Sequence, residues 1–336
     1  MISIKHPQLA AGLVGALLLL SLPAFAETKL SVTRQPGIPY LPTHVIEKEK
    51  LIEKHAKRLG VNDLALSWLT FSGGSAATDA LLSGNVDVLN TGVGNLLLLW
   101  DRTKGGVKGI VACSAQPMVL MTRDPNIKSL KDYGPTDKIA VPTVKVSTQA
   151  ILLQIAAAKQ FGADQWAKLD PNTVQLGHPD AYIAMTNASH EVKSHFTTPP
   201  YSYLEQKNVP GARPILTSKD VIPEGLTQAH FFTTTKYAEA NPKVIEAIKA
   251  ATLEALQMIK SDPKRAVETY REISNDKTPV DELLELLKQP GMMDYDAAPH
   301  GTMRFAEHLF ASGTLKTKPA SWKDYYLPVA HDLAGS

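Results

Sequence analysis

Cysteine is almost absent from the 336-residue sequence, which contains Cys113 and no second thiol. A disulfide within one chain is therefore excluded, as are zinc and redox motifs that are built on cysteine pairs. Because Cys113 lies in the apolar segment VKGIVACS, we expect it to act as a small buried hydrophobic side chain.

An excess of charge of one sign is also lacking. The sequence has 35 lysines and arginines against 33 aspartates and glutamates, which gives a formal net charge of +2. Nucleic-acid-binding domains carry a basic excess, so nucleic acid is not expected as a partner. Apolar residues make up 44% of the chain, enough for a large core, and the length suits two domains.

Motifs for nucleotide binding and for hydrolysis are missing as well. No Gly-x-Gly-x-x-Gly or Walker pattern follows a predicted strand, and GGSAA at residues 73–77 lacks the Gly-x-Ser-x-Gly elbow of hydrolases. The ten histidines are scattered over different segments without His-x₃-His spacing. We therefore predict no catalytic residue, no metal site and no cofactor, and we expect that the protein is not an enzyme.

The amino terminus has the pattern of a secretory signal. Lys5 precedes an apolar run over residues 9–22, and residues 23–26 read Pro-Ala-Phe-Ala, which contains an Ala-x-Ala cleavage pattern. The run is shorter than the ~20 residues that span a bilayer, which disfavours a retained membrane anchor. We predict a signal peptide over residues 1–26 and a periplasmic protein after cleavage. No lipid-modified terminus is expected, because no cysteine follows the cleavage site.

Beyond this segment, short strand-like runs alternate with helical runs, which predicts an α/β fold with a largely parallel sheet. Residues 29–34 alternate as a strand, and apolar spacing predicts one helix over residues 43–59 that Gly60 closes. Helical spacing also dominates the carboxyl-terminal part of the chain. The helices predicted there cover residues 242–261, 263–274, 280–289 and 302–312.

Two clusters of small residues stand out in the first half of the chain, SGGS at residues 72–75 and TGVG at residues 91–94. Each follows a predicted strand and begins a predicted helix. Loops at the carboxyl ends of parallel strands open on one side of a sheet, where ligands bind. Free backbone N–H groups at a helix N-terminus favour an anion or a polar oxygen. A plain turn and helix cap is the alternative for each cluster.

A second unit with the same alternation runs from about residue 116 to residue 215. It contains a long helix that Ser147 or Thr148 can cap and a turn, HPDA, in which Asp180 caps a helix. Pro199 and Pro200 suit the first turn of a further helix.

The chain then returns to the first unit, so it crosses between the units twice. We predict one lobe over residues 27–115 and 218–336 and a second lobe over residues 116–217. Two crossings form a two-stranded hinge, about which one lobe rotates against the other to close on a ligand.

Four segments together resemble the successive blocks of one protein family. They are GIPYLPTHVIEKEKLIEKHAKRLG, FSGGSAATDALLSGNVDVLNTGVG, IAVPTVKVSTQAILLQIAAAKQFG, and HPDAYIAMT followed by HFTTPPYSYLEQK. The sequence is similar to periplasmic substrate-binding proteins of ABC transporters of the nitrate/sulfonate/taurine type, over essentially the whole mature chain. The resemblance implies a type II periplasmic-binding-protein fold. It also implies a small ligand between the lobes, and a membrane permease with its ATPase subunit as partners. A monomer is expected.

The resemblance, carried over residue by residue, also implies a set of ligand contacts in both lobes. In the first lobe these are Gly37, Tyr40, Ser72, Gly73, Gly74, Ser75, Thr91 and Gly92. In the second lobe they are Ser147, Thr148, Thr197, Thr198 and Tyr201, with His178 at the matching strand-to-helix turn. Each has a structural alternative: a helix cap for the hydroxyls, and core packing for the rings.

Our leading hypothesis is an anionic ligand such as a sulfonate, a carboxylate or nitrate. Residues 144–147 read VKVS where many relatives have a glycine followed by serines, and Thr198 stands where many have an acidic residue. These departures leave the ligand open, so a neutral or cationic pyrimidine-type ligand is an alternative. A binding protein that feeds a sensor or another transporter class is a further alternative. A fold-related enzyme is disfavoured, because its cysteine-rich motif is absent.

Overall fold

The computed structural model describes residue 2 and residues 28–71 and 74–336 of the chain. The predicted signal peptide therefore lies outside the described residues except for Ile2, and so do Ser72 and Gly73. Within the described part of the chain, no helix has the length and apolar character that crossing a bilayer requires.

Ten strands in the described residues form two five-stranded sheets, so the predicted two-lobed α/β fold is confirmed. The prediction of a largely parallel sheet is wrong, because each sheet is mixed and pairs two strands in antiparallel fashion for every two in parallel. The first lobe is built on the sheet with strand order β2-β1-β3-β10-β4, and the second on the sheet with order β7-β6-β8-β5-β9. The strands are β1 (Thr28–Thr33), β2 (Leu64–Leu69), β3 (Val88–Gly92), β4 (Val107–Ser114), β5 (Val119–Thr122), β6 (Lys138–Val141), β7 (Thr173–Gln175), β8 (Val192–Thr197), β9 (Arg213–Thr217) and β10 (Ala229–Thr234).

Helices follow most of the strands and cover the sheets. They are α1 (Leu41–Lys48), α2 (Leu51–Arg58), α3 (Gly74–Leu82), α4 (Val93–Arg102), α5 (Thr148–Phe161), α6 (His178–Thr186), α7 (Tyr201–Asn208), α8 (Ser218–Val221), α9 (Thr235–Ala240), α10 (Pro242–Ser261), α11 (Pro263–Ser274), α12 (Val280–Leu287) and α13 (Thr302–Ala311). The four carboxyl-terminal helices agree with the sequence prediction, because their spacing and proline boundaries are strong local signals.

The two sheets share one plan. In the first sheet β1 runs parallel to β2 and β3, and β10 runs antiparallel to β3 and β4. In the second sheet β6 runs parallel to β7 and β8, and β5 runs antiparallel to β8 and β9. The chain crosses from β4 to β5 and returns from β9 to β10, so two connections join the lobes.

The single helix predicted over residues 43–59 is wrong, because the chain forms α1 and α2 there instead. Lys50 separates them in the left-handed region, with φ 48°. The break changes the direction of the chain, and both helices pack against α10 while α1 also packs against α11. Apolar spacing continues through the break, which is why it resembles one helix. Gly60 closes α2 with φ +84°, as predicted.

The helix starts of the second lobe correct two details. Ser147 caps α5 as predicted, since its hydroxyl accepts a hydrogen bond from the Ala150 N–H at 3.3 Å. Asp180 was expected to cap a helix, but α6 begins at His178, so Asp180 lies in its first turn. Pro200 is the residue before α7 rather than part of its first turn.

The two lobes share a buried apolar cluster. It includes Leu97 on α4 of the first lobe, Ile151 on α5 and Phe196 on β8 of the second lobe, and Phe305 on α13. The lobes are therefore packed against each other in this structure. Cys113 is buried in the first lobe, where burial raises the pKa of its thiol to about 12.

Candidate functional site

A cavity of about 290 Å³ lies between the two lobes. The cavity is lined by residues at the carboxyl ends of four strands. In the first lobe these are residues 70–71 after β2 and residues 91–92 at the end of β3. In the second lobe they are residues 142–143 after β6 and residue 177 just beyond β7. These four strands belong to the parallel parts of the two sheets. The cavity is thus formed where the carboxyl ends of the parallel strands face each other, which is the usual ligand position in such sheets.

The first-lobe wall of the cavity is made of neutral polar side chains. Tyr40, Thr91, Asn95 and Gln228 all line it, and each is largely buried. Burial raises the pKa of the Tyr40 hydroxyl, and hydrogen bonding to Thr91 and Gln228 offsets part of this effect. Tyr40 is therefore a neutral hydroxyl at physiological pH. The buried Gln228 Oε1 has no hydrogen-bond partner among the described residues.

Three helices begin at the cavity. Gly92 is the residue that precedes α4, Ser147 precedes α5 and Gly177 precedes α6, and all three line the cavity. The first N–H groups of a helix have no partner within the helix, and the helix dipole places partial positive charge at this end. One helix from the first lobe and two from the second therefore direct positive potential towards the same space.

The second-lobe wall adds hydroxyl and amide groups. Ser147, Thr148 and Gln149 line the cavity at the start of α5, and Thr143 lines it after β6. The Thr148 hydroxyl is buried and has no hydrogen-bond partner among the described residues. A buried unpaired hydroxyl costs about 1–3 kcal/mol, so a ligand that accepts or donates a hydrogen bond here recovers that free energy.

Glycines allow the two lobes to approach closely beside the cavity. A Cβ atom added to Gly92 would lie 2.4 Å from Thr148 Oγ1, and one added to Gly94 would lie 2.3 Å from the Val146 carbonyl oxygen. Both distances are shorter than real Cβ contacts, and the Val146 oxygen belongs to the backbone. The TGVG cluster therefore brings the start of α4 against the start of α5.

A chain of buried ionisable groups leads from the cavity into the second lobe. His178 lines the cavity, and its Nδ1 lies 2.8 Å from His195 Nε2. His195 Nδ1 lies 2.5 Å from Glu205 Oε1, and at the other end His178 Nε2 lies 3.3 Å from Gln149 Nε2. His195 and Glu205 are fully buried. We call His178, His195 and Glu205 the buried triad.

Burial controls the ionisation of the triad. It lowers the pKa of His195 to about 3 and raises the pKa of the Glu205 carboxyl well above its ordinary value. It also lowers the pKa of His178 well below the ordinary value, and the neighbouring His195 adds to this effect. All three pKa shifts have the same main cause: burial removes the water that would stabilise the charged form of each side chain.

Full charges are sparse at the cavity. Of the described residues that line it, Asp180 is the only acidic one, and no lysine or arginine lines it. Among the residues that the structure covers, no group of three or more histidines, cysteines or carboxylates is arranged to hold a metal ion. The site thus offers hydrogen bonds and helix dipoles rather than a countercharge.

The structure brings six of the predicted contact residues together on the cavity wall: Tyr40, Thr91, Gly92, Ser147, Thr148 and His178. The predicted contacts Ser72 and Gly73 lie outside the described residues, and Gly74 and Ser75 begin α3 three and four residues beyond the lining residue Phe71.

Four other predicted contacts are not among the residues that line the cavity. The Gly37 backbone, with φ +111°, approaches Pro199, and a Cβ atom there would lie 3.3 Å from the Pro199 carbonyl oxygen. The Thr197 hydroxyl donates to the Thr198 carbonyl oxygen at 3.3 Å. The Tyr201 ring stacks on the His178 ring with centroids 5.8 Å apart, and Thr198 is fully buried.

Several lining residues were not anticipated from the sequence. Asn95, Thr143, Gln149 and Gln228 are the main polar ones. Asn95 lies in the first turn of α4, and Gln149 lies in the first turn of α5, so their closeness to the predicted helix starts was a usable signal. Gln228 lies just before an antiparallel strand, where no local motif marks it.

Comparison with known proteins identifies the fold. No family model matches the sequence, and no curated protein matches it either. The alkanesulfonate-binding protein SsuA from Xanthomonas axonopodis pv. citri bound to MOPS has a similar structure, with a TM-score of 0.69 at 17% identity, covering 88% of this chain and 97% of that one.

Two other solved structures have the same architecture. The periplasmic aliphatic sulphonate-binding protein SsuA from Escherichia coli has a TM-score of 0.64 at 18% identity, covering 90% of this chain and 99% of that one. The periplasmic nitrate-binding protein NrtA from Synechocystis PCC 6803 has a TM-score of 0.65 at 16% identity, covering 89% of this chain and 83% of that one. The chain therefore has the two-lobed fold of these periplasmic binding proteins.

Proposed function

We propose that the protein is the periplasmic solute-binding component of an ABC importer. It captures a small anion, such as a sulfonate, a carboxylate or nitrate, between its lobes and delivers it to a membrane permease with an ATPase subunit. The proposal is supported by the shared fold with two sulfonate-binding proteins and one nitrate-binding protein. It includes export through removal of residues 1–26, a monomer, and lobes over residues 27–115 with 218–336 and residues 116–217.

The observation that carries the proposal is the convergence of helix starts from both lobes. Gly92, Ser147 and Gly177 lie at the starts of α4, α5 and α6 and line one cavity. A negative group near a helix N-terminus gains about 0.3–2 kcal/mol from each helix. Micromolar binding requires about 8 kcal/mol, which is more than the helix starts alone supply. The unpaired Thr148 hydroxyl and the Tyr40 hydroxyl are available for further hydrogen bonds to the ligand.

Contacts on both walls give the mechanism of closure. A ligand favours the closed arrangement only by the contacts that it makes there and lacks in the open one. A ligand on Thr91 of the first lobe and Thr148 of the second lobe connects the two walls. The closed form then docks to the permease, and the two connections between the lobes act as the hinge.

The charge of the cavity favours a second candidate ligand. No lysine or arginine is present among the described lining residues, and Asp180 lies at the cavity. A neutral or cationic ligand of the pyrimidine type fits this pattern, with an aromatic contact from Phe71 or Tyr40. We rank it second, because three helix N-termini disfavour a cation.

A thermal-shift titration of the mature chain tests the proposal. Methanesulfonate and nitrate are compared with dimethyl sulfone, a neutral analogue of similar shape, and with cytosine and thiamine precursors. A ligand at 100 times its dissociation constant stabilises the folded state by about 2.7 kcal/mol, which raises the melting temperature by several degrees. We expect a shift with an anion and none with the sulfone. A shift only with cytosine or a thiamine precursor contradicts the anion proposal and supports the second candidate.

A further inference from the structure

The buried triad raises the question of which way its hydrogen bonds run. Each link joins two nitrogens or a nitrogen and an oxygen, with lengths of 2.8 Å between the histidines and 2.5 Å to Glu205. A neutral imidazole has one donor nitrogen and one acceptor nitrogen. The direction of the first link therefore fixes the direction of the next, and it decides whether His178 Nε2 donates or accepts at the cavity.

The number of protons in the triad sets this direction. With two protons Glu205 is a carboxylate that accepts from His195, His195 accepts from His178, and His178 Nε2 becomes an acceptor. With three protons Glu205 donates to His195, or an ionised Glu205 faces a protonated His195. In both of these cases His195 donates to His178, and His178 Nε2–H becomes a donor.

The surroundings favour the state with three protons, which has no net charge. Glu205 is fully buried, and its Oε2 has no hydrogen-bond partner among the described residues. A buried carboxylate without a cation is strongly disfavoured. A protonated Glu205 places its proton on Oε1, because a proton on Oε2 would be an unpaired buried donor. The raised pKa of Glu205 agrees with this choice.

The described groups on the neighbouring elements supply no positive charge that would stabilise an ionised Glu205. On β8, His195 pairs with Met121 of β5 and with Ala140 of β6, neither of which ionises. The titratable groups near His178, besides His195, are Tyr201 on α7, whose ring stacks on it, and Tyr40 and Asp180, which line the same cavity. Burial raises the pKa of Tyr40 and of Tyr201, so both stay neutral.

The cavity end of the triad is compatible with a donor. The Gln149 side chain contacts His178 Nε2, and its amide presents either the nitrogen or, after a half turn, the oxygen. As the structure places it, the Gln149 nitrogen lies 3.3 Å from His178 Nε2; after the half turn, the Gln149 oxygen accepts from an Nε2–H donor at His178. A ligand oxygen in the cavity can take the same place, because both residues line it.

We propose that the buried triad holds three protons and presents the Nε2–H of His178 to the cavity as a hydrogen-bond donor, so that the site selects ligands with an acceptor atom at this point. The inference rests on the proposed function for the identity of the cavity as a binding site. Glu205 acts through His195 and His178 and is a positioning residue. Loss of the third proton at high pH turns His178 Nε2 into an acceptor and repels an anion.

The first test counts the protons without a ligand. Urea unfolding of the mature wild type is compared with that of Glu205→Gln between pH 7 and pH 9. Unfolded Glu205 has no proton in this range, so a folded triad with three protons binds one more than the unfolded chain. The ratio of the unfolding constants, wild type over Glu205→Gln, should then rise about tenfold per pH unit. A constant ratio means that the triad has only two protons and overturns the proposal.

Glu285→Gln is the matched control. Glu285 pairs with Lys288 at the surface, where its side chain is 65% exposed. The same change of carboxylate to amide should leave the ratio of unfolding constants independent of pH in this range, because this side chain is exposed to solvent and lies outside the buried triad.

The second test reads the direction of the hydrogen bonds. Nitrogen NMR of the mature chain labelled with ¹⁵N-histidine distinguishes a protonated from an unprotonated ring nitrogen, and a His178→Gln variant assigns the His178 signals. We expect His178 to have its proton on Nε2 and to have an unprotonated Nδ1. An Nδ1–H tautomer at neutral pH overturns the proposal.

A ligand arm separates this inference from the proposed function. If methanesulfonate or nitrate binds, the His178 Nε2–H resonance should move while the tautomer is retained; an unmoved resonance refutes the contact with His178. If neither anion stabilises the protein but His178 is an Nε2–H donor, the proposed anion function fails while the assignment of the triad stands.

Discussion

The two lobes have the same sheet plan but different cavity walls. In the first lobe, the neutral side chains of Tyr40, Thr91 and Gln228 line the cavity, and the buried His44 bonds to the Tyr40 backbone carbonyl oxygen rather than to a side chain at the cavity. In the second lobe, His178 is backed by His195 and Glu205. Both walls also have helix N-termini, α4 on one side and α5 and α6 on the other.

This difference shows that one architecture can supply two kinds of hydrogen-bonding surface. Hydroxyl and amide groups of the first lobe keep their character over a wide pH range. The donor or acceptor character of His178 depends on the number of protons behind it.

Acid should destabilise the folded chain through its buried histidines, of which His44 and His230 lie in the first lobe and His178 and His195 in the second. Burial lowers the pKa of His44 and of His230 to about 4. Both are neutral in the folded chain and take up protons on unfolding below pH ~6.5, so stability is present above that pH and is lost as the pH falls towards about 4. Each contributes up to about 3 kcal/mol. Urea unfolding between pH 7 and pH 4 measures the loss.

The source of the acid sensitivity can be assigned by substitution. A His44→Leu variant should reduce the pH slope of stability, whereas His331→Leu, at the less buried His331, serves as the control. An unchanged slope in His44→Leu contradicts the assignment. The second lobe differs, because Glu205 should also make its stability fall at high pH. Amide hydrogen exchange should then become faster in β8 than in β3 as the pH rises.

The close approach of the lobes should depend on Gly94. A Cβ atom there would lie 2.3 Å from the Val146 carbonyl oxygen and 2.7 Å from Ile151 Cδ1. Overpacking of this kind costs about 1–3 kcal/mol, so Gly94→Ala should weaken the binding of the anion that the thermal-shift titration identifies by roughly 5- to 150-fold. Titration calorimetry measures the affinity.

Gly134→Ala is the control for Gly94→Ala, because a Cβ atom there makes only an ordinary contact, 3.4 Å from Asp137 Oδ2. Its affinity should equal that of the wild type. If Gly94→Ala also binds like the wild type, the contact between the starts of α4 and α5 is not part of the ligand-bound state.

The unpaired Thr148 hydroxyl gives the smallest expected effect. Thr148→Val keeps the shape and removes the hydroxyl, so it should weaken anion binding by about fivefold to tenfold and leave the unliganded protein as stable or more stable. Thr252→Val is the control: Thr252 is buried in α10, and its hydroxyl donates to the Ile248 carbonyl oxygen at 2.8 Å. The control should lose stability and keep its affinity. Equal affinity in Thr148→Val contradicts a ligand contact there.

Much of the fold was predictable from local patterns. The strand predicted over residues 29–34 is found at Thr28–Thr33, because alternation and flanking turn residues define short strands well. The helices Pro242–Ser261 and Pro263–Ser274 are bounded by prolines. The break at Lys50 was not predictable, because no glycine or proline marks it and tertiary packing selects the left-handed backbone.

The candidate site was only partly predictable. Ser147, Thr148 and Gly92 mark helix starts, which local rules identify. Gln228 reaches the cavity from the start of an antiparallel strand, and its position depends on the pairing of β10 with β3 and β4. Thr197, predicted as a contact, does not line the cavity, and alternation along β8 could not have shown this, because it does not determine which face of the strand meets the cavity.

The α/β alternation, the small-residue clusters at helix starts and the absence of cysteine chemistry follow from local sequence, because they depend on neighbours within a few residues. The meeting of the starts of α4, α5 and α6 at one cavity follows only from how the elements pack. The same packing joins His178, His195 and Glu205, which come from α6, β8 and α7. Side chains on separate elements meet only after strand register and helix packing fix their directions, and local sequence does not contain that information.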